Sequence, residues 1–532
     1  MDGLPVTRPM SRTVSRRLFL ARTGAVTATT AAVTALPTGP ARATRPPALR
    51  MPDVPVRKAA LDDPAEATLA EAATLLRGRR LTSVELTRAY LDRIAKHDSA
   101  YQAYVTVLAD RALAAARRAD RLRTGPLSGL PLIIKDNVFT AGVRTTANSF
   151  IFETFVPDHD ATVVARLTGA GAIVLGKGQM GPLATTRATT PDGRITTVNA
   201  WTPANPAVDP GGSSTGPATA VAGRLAASSI GTQTGGSIVL PSNQQNLTGL
   251  KPTMGRASIY GIVPLSFTRD HPGPLARDAM DAAIMLSVMA GPDPRDPRTL
   301  GLPRVPDLVR AATPVRRGGR PALRRATRVG VPEDYLTTSN TQVLALRRDF
   351  LTTLGKIPGV RLVDVAHPAD WGLLTGAFND ARLAERTEPF RPFLQKDLRL
   401  FGVSVLSWLG GLMLSGDEWI TAQRAKAHLL GEVLDGVLEK ADVVLQTGPV
   451  PFDILGLPEI GFPIGFTSAG VPVGTILGGG PYEEDRLLEV AAAYQAVTDW
   501  HWRRPADPSP AVAAARSAPP RIDAVTAAET SA

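Results

Sequence analysis

The residues of this sequence best suited to chemistry are serines and a lysine gathered in three stretches. "GLPLIIKDN" ends an apolar run on Lys135, "PGGSSTGPATAVAG" carries Ser213 and Ser214, and "GTQTGGSIVLP", Gly231 to Pro241, sets Ser237 behind two glycines. A serine hydroxyl is a weak nucleophile at neutral pH and needs a partner to take its proton. A lysine can be that partner only when neutral, and burial at the end of an apolar strand lowers a lysine's pKa by disfavouring its charged form. Taken alone, Gly-Gly-Ser is also an ordinary turn. "GSSTG" fits G-x-S-x-G and would make Ser214 the nucleophile of an α/β-hydrolase, but that motif needs a strand before it. Here "NPAVDPGG" precedes it, and no His partner can be singled out.

Other chemistries are poorly provided for. Cysteine is absent, which removes thiolate nucleophiles, disulfides and Cys-ligated zinc together. The six histidines, His97, His159, His271, His367, His428 and His501, are scattered without HExxH or paired spacing, so neither metal nor cofactor is expected. The formal charge is +11, but 50 of the 59 basic residues are Arg, and they form no runs with interleaved aromatics. A nucleic-acid partner is therefore not expected.

The elements that must position these residues read as interleaved helices and apolar strands. "LTSVELTRAYLDRIAKHD" has Thr82 and Glu85 at capping-box spacing before apolar residues at helical intervals. A helix is predicted over Asp110 to Leu122, a buried strand at "LPLIIKDN", a helix then a strand in "DATVVARLTGAGAIVLGKG", and a helix from Ser213 to about Ala227. "TRVGVP", "VRLVDV", "DVVLQT", "IGFPIGF" and "PVGTIL" read as strands, "TQVLALRRDFLTTLGK" as a helix, and Glu483 to His501 as the closing helix. This alternation predicts an α/β protein with a sheet covered on both faces. No clear linker isolates a second domain between Asp281 and Gln446. "FRPFLQKDLRLFGVSVLSWLGGLML", with Phe390, Phe393, Phe401 and Trp408, reads as a buried helical pair or as an acyl-pocket wall.

Both ends differ in composition. "SRRLFLARTGAVTATTAAVTALPTGPARA" sets Arg16 and Arg17 before a mildly apolar segment that ends at Ala41-Arg42-Ala43. Residues 1–43 thus read as a twin-arginine export signal, with the mature protein extracytoplasmic or secreted. The segment is too short for a spanning helix, so no stable membrane anchor is expected after cleavage. Residues 44–63 read as a linker, 64–502 as the catalytic domain, and the Pro- and Ala-rich 503–532 as a disordered tail. Oligomeric state is not legible.

Taken together the three stretches resemble the amidase signature family, whose pattern has a strand-end lysine in KDN, a Gly-Gly-Ser-Ser turn, and a serine 24 residues beyond the first serine of that turn. Ser213 and Ser237 have this spacing. "GLKPT", "GIVPLSFTRDHPGPLARDAMDAA" and "GFPIGF...GVPVGTILGG" extend the likeness from about Glu66 to His501. The resemblance implies a large mixed β-sheet sandwiched between helices, and a Ser-cisSer-Lys triad. In it Ser237 is the nucleophile, Ser213 the bridging serine on a cis peptide, and Lys135 the ultimate base. It also implies an oxyanion hole from the N–H groups of Thr234, Gly235, Gly236 and Ser237, with Ser214 in support, hydrogen-bonding the lysine. The substrate would be a small-molecule or peptide carboxamide, and "GSIV" with "GIVPLSFTRD" is most like the exported peptide amidase branch. The sequence departs from the pattern at Gln233, usually Asp, at Val239, usually Arg, and at Thr215 and Pro217 in the glycine-rich turn. Acyl transfer, ester hydrolysis or a non-catalytic exported binding protein are the alternatives on the same fold.

Overall fold

The computed structural model of the chain describes residues 49–516. Its strands are β1 (Tyr104–Val107), β2 (Pro131–Lys135), β3 (Ile173–Gly178), β4 (Ser228–Gln233), β5 (Thr248–Lys251), β6 (His271–Ala276), β7 (Val315–Arg317), β8 (Arg320–Ala322), β9 (Thr327–Pro332), β10 (Val360–Val365), β11 (Val443–Gln446), β12 (Glu459–Phe466) and β13 (Pro472–Gly479). Eleven of them make one mixed sheet in the order β1-β3-β2-β4-β6-β5-β12-β13-β11-β9-β10, and β7 and β8 form a separate ribbon. This is the mixed-sheet α/β fold. Because β9 and β10 join the same sheet, residues 281–446 are not a separate domain.

β2 runs parallel to both neighbours, β3 and β4. Parallel strands are covered on both faces, which is why "PLIIK" is an unbroken apolar run rather than an alternating one. All five of its residues are buried, Lys135 included. β4 carries small residues in the middle because another segment presses on it. A Cβ on Gly231 would come within 2.7 Å of Ser214 Oγ. The helices form where capping signals foretell them. Thr82 Oγ1 accepts from Glu85 N and Glu85 Oε2 accepts from Thr82 N, opening the helix Ser83–Tyr101. The helices Ala109–Leu122, Thr162–Gly169, Thr341–Gly355 and Glu484–Gln495 also fall where apolar periodicity places them, the last shorter than expected. No helix among the described residues is long and apolar enough to cross a membrane.

Several expectations change. The helix after Ser214 runs only over Thr215–Ala222, since Gly223 ends it. The stretch expected as a linker is partly built into the body: Leu49, Met51, Val54 and Val56 pack on the main core, and Lys58–Asp62 is helical. The expected disordered tail is docked as far as Arg516. Asp507 pairs with Arg93 and Arg224, Pro510–Ala515 is helical, and the Arg516 guanidinium donates to the Thr196 carbonyl. Arg224 also pairs with Glu66, so one guanidinium ties the two ends of the described chain. Composition misleads here because arginine side chains supply the docking that few apolar residues do. The export signal and residues 517–532 lie outside the described residues.

The segment after Thr387 is a chain of short turns, with helices Arg391–Lys396 and Val405–Gly410, rather than a helical pair. Phe390, Phe401 and Trp408 bury their rings in a satellite core with Met180, Leu183 and Leu265.

Candidate active site

Two adjacent parallel strands end side by side, and their ends carry the site. Lys135 closes β2, and Thr232 and Gln233 close β4. The Lys135 amine lies 2.7 Å from Ser213 Oγ, 2.9 Å from Thr232 Oγ1 and 3.3 Å from the Thr232 carbonyl. Ser213 follows a cis peptide bond to Gly212, and its carbonyl accepts from Gly181 N. Thr215 fixes this turn: its hydroxyl donates to the Gly211 carbonyl and accepts from Ala188 N. Pro217 stands in the first turn of the following helix, where a missing N–H costs nothing. The departures from the glycine-rich pattern therefore leave the serine turn anchored.

Lys135 is fully buried, and among the described residues no carboxylate pairs with it. Burial holds its amine well below the ordinary lysine value, opposed only by the more remote charge of Asp270. Lys177, one strand away on β3, is equally buried but faces Asp136 Oδ1 at 3.6 Å and is lowered only to about 8. An unprotonated amine can both donate and accept, so the 2.7 Å approach to Ser213 Oγ would allow proton transfer in either direction.

Ser214 is placed differently from the expectation that it bonds the lysine. Its hydroxyl donates to the Thr232 carbonyl and accepts from Thr232 N, so it holds Thr232, which in turn holds Lys135. Ser214 is fully buried, heads a helix with no strand before it, and bonds no histidine, which disposes of the α/β-hydrolase arrangement.

The turn from Thr234 to Ser237 leaves β4 with Gly236 at φ +106°, a conformation that suits glycine. Among the described residues the N–H groups of Thr234, Gly235, Gly236 and Ser237 donate to no protein acceptor. Ser237 keeps 9% of its surface exposed, against 1% for Ser213, so the more accessible hydroxyl belongs to the turn with the unused donors. Packing brings the two serine turns together: a Cβ on Gly211 would fall 2.4 Å from Pro241 Cα, in the helix Val239–Gln244 that follows Ser237.

The turn is held by residues whose roles sequence spacing does not reveal. Gln233 Oε1 accepts from Ile238 N at 3.0 Å and Val239 N at 3.1 Å, while its Nε2 donates to Glu459 Oε2 at 2.8 Å. A neutral amide thus does the holding where the pattern has Asp, and the buried Val239 beside it needs no counter-charge. On the other side Arg269 Nε donates to the Thr234 carbonyl, Arg269 Nη2 pairs with Asp453 at 3.1 Å, and the Thr234 hydroxyl donates to Asp270. Asp453 lies 184 positions from Arg269, beyond reach of any local pattern. Among the described residues no cluster of three His, Asp or Glu could hold a metal ion.

The fold and the family it belongs to place the protein among the carbon–nitrogen hydrolases that act on amides. The family model described as Amidase matches residues 85–385, and the chain belongs to that family. It is 36% identical over 493 residues to the glutamyl-tRNA(Gln) amidotransferase A subunit of Methylococcus capsulatus, covering 82% of this chain and 98% of the relative. The native peptide amidase of Stenotrophomonas maltophilia superposes with a TM-score of 0.72 at 29% identity, over 84% of this chain and 99% of that one. The same similarity holds for the peptide amidase structure in complex with the competitive inhibitor chymostatin.

Proposed function

We propose that the protein hydrolyses carboxamides through an acyl-enzyme on Ser237. The Ser237 hydroxyl passes its proton to Ser213 Oγ as it attacks the amide carbon, and Ser213 passes its own to the neutral Lys135 amine. The tetrahedral oxyanion is met by the N–H groups of the Thr234–Ser237 turn, where one donor is worth roughly 3 kcal/mol. On collapse, the C–N bond breaks and the amine leaves with a proton returned from the lysine through Ser213. Water then attacks the ester by the same route, and Ser237 regains its proton. The observation that carries this reading is the buried Lys135 amine, without a carboxylate, 2.7 Å from Ser213 Oγ.

The likeness to peptide amidase supports a peptide or small-molecule amide as substrate. Arg16 and Arg17 support export through the twin-arginine route, with cleavage after Ala43. Acyl transfer to an amine is the second reading, because an acyl-enzyme can meet either acceptor. Turnover of peptide amides, aryl amides, fatty amides and esters, with product mass read in the presence and absence of hydroxylamine, tests both. Acid product alone supports hydrolysis, hydroxamate in excess supports transfer, and no acylation by any amide or ester ends both.

A further inference from the structure

Among the described residues Arg386 is a buried charge with no hydrogen-bond or ion-pair partner, one helical turn beyond Arg382. It sits in the last turn of the helix Trp371–Thr387 and is 5% exposed, yet no described residue bonds or pairs with its guanidinium. Its Nε is sealed from solvent with no acceptor, and the guanidinium lies over the Trp408 ring, 5.6 Å from its centre. The Trp408 indole N–H is likewise buried without an acceptor. Buried charges are ordinarily paired, so an arginine in this condition marks a position that an anion completes.

The nearby carboxylates are already engaged. Glu385 accepts from Ser266 Oγ at 2.6 Å, Thr268 N at 3.1 Å and Thr268 Oγ1 at 3.0 Å. Asp270 accepts from the Thr234 hydroxyl, Leu265 N at 2.7 Å and Ser266 N at 3.0 Å, and Asp453 pairs with Arg269. Arg382, one turn earlier on the same helix face, brings its Nη1 to 3.6 Å from where a Cβ on Gly235 would stand. The helix therefore touches the oxyanion turn at Arg382 and presents Arg386 next along.

We propose that Arg386 is a specificity-determining residue that binds a carboxylate carried by the substrate, so that the preferred substrates are acidic carboxamides. A carboxylate is acceptor-only and matches the guanidinium's fork of donors. The proposal rests on the amide-hydrolase reading for its kinetics, but not for its binding.

The kinetic test compares the monoamides of butanedioic, pentanedioic and hexanedioic acids with butanamide, pentanamide and hexanamide. A charge-assisted pairing predicts kcat/KM roughly 10- to 100-fold higher for at least one acidic member than for its neutral counterpart. That ratio should fall towards one in Arg386→Gln and be intermediate in Arg386→Lys, with circular dichroism confirming that both fold. Neutral members matching acidic ones in the wild type, or an unchanged ratio in Arg386→Gln, would overturn the proposal. Should Arg386→Gln fail to fold, an unchanged ratio in Arg386→Lys decides against it in the same way. The binding test reads the melting temperature of the Ser237→Ala protein with pentanedioate. Stabilisation that disappears when Arg386→Lys or Arg386→Gln is added supports the site even if no amide is turned over, which would sink only the hydrolase reading. Absence of stabilisation in Ser237→Ala sinks the carboxylate site.

Discussion

Lys135 at the end of β2 and Lys177 one residue before the end of the neighbouring β3 are equally buried, yet among the described residues only Lys177 faces a carboxylate, Asp136 at 3.6 Å. An amine deprived of a counter-charge at such depth is held well below the ordinary lysine value, whereas the one beside Asp136 is lowered only to about 8. Two lysines that composition cannot tell apart are thereby assigned different work.

The first expectation follows for pH. If neutral Lys135 draws the proton, kcat/KM rises as pH climbs through its lowered pKa, so the acidic limb of the profile reports that group. Lys135→Ala should lower kcat/KM by roughly 10²- to 10⁴-fold and flatten the limb. A variant that keeps both the rate and the limb would make the lysine structural.

Covalent labelling separates the serines. A fluorophosphonate should label the wild type and Ser214→Ala at Ser237, and should leave Ser237→Ala unlabelled. Intact-mass spectra with peptide mapping identify the modified residue, and a label on Ser214 would defeat the assignment.

Gln233 holds the turn that bears Ser237. Gln233→Ala strands two N–H groups and one Glu459 oxygen, each loss costing about 1–3 kcal/mol. Urea unfolding should show a lower midpoint, and kcat should fall more than KM rises because the misplaced donors matter most in the transition state.

The Arg269–Asp453 pair gives a cleaner stability test. Asp453→Ala removes the carboxylate that faces a buried guanidinium at 3.1 Å and should cost about 3–5 kcal/mol, read from denaturant unfolding. Arg269→Met in the same chain should recover part of that loss. A double variant no better than the single one would show that the pair's hydrogen bond to Thr234, rather than its charge, is what matters.

The proposed export is tested by fractionating cells and sequencing the N-terminus of any protein found outside the cytoplasm. Its first residue should lie near Thr44, and replacing Arg16 and Arg17 by Lys should retain the protein in the cytoplasm. Secreted protein that still begins at Met1 would contradict the signal.

How far the sequence reveals this molecule depends on the range of the interaction. The capping box at Thr82 and Glu85 and the apolar run ending at Lys135 are local, and both are legible. β6 is not, because Pro272 and Pro274 argue against a central strand; it pairs with β4 and β5 nonetheless. The serine spacing is legible only as a resemblance, and it does not tell that Ser214 reaches Lys135 through Thr232. Gln233 reads as a lost charge in the sequence and as a two-sided hydrogen-bond clasp in the fold. Arg269 finds Asp453, and Arg224 finds both Glu66 and Asp507, across separations that no periodicity encodes.

The pairing of Arg224 with both Glu66 and Asp507 makes the described stretch, residues 49–516, almost a ring. The segments bearing Glu66 and Asp507 share one side chain, so neither can peel away without loosening the other, and a protease should find both ends together or neither. The same closeness means that a short linker joining the two ends, with new termini opened at an exposed turn such as Gly318–Gly319, should yield a circular permutant whose sheet order is unchanged.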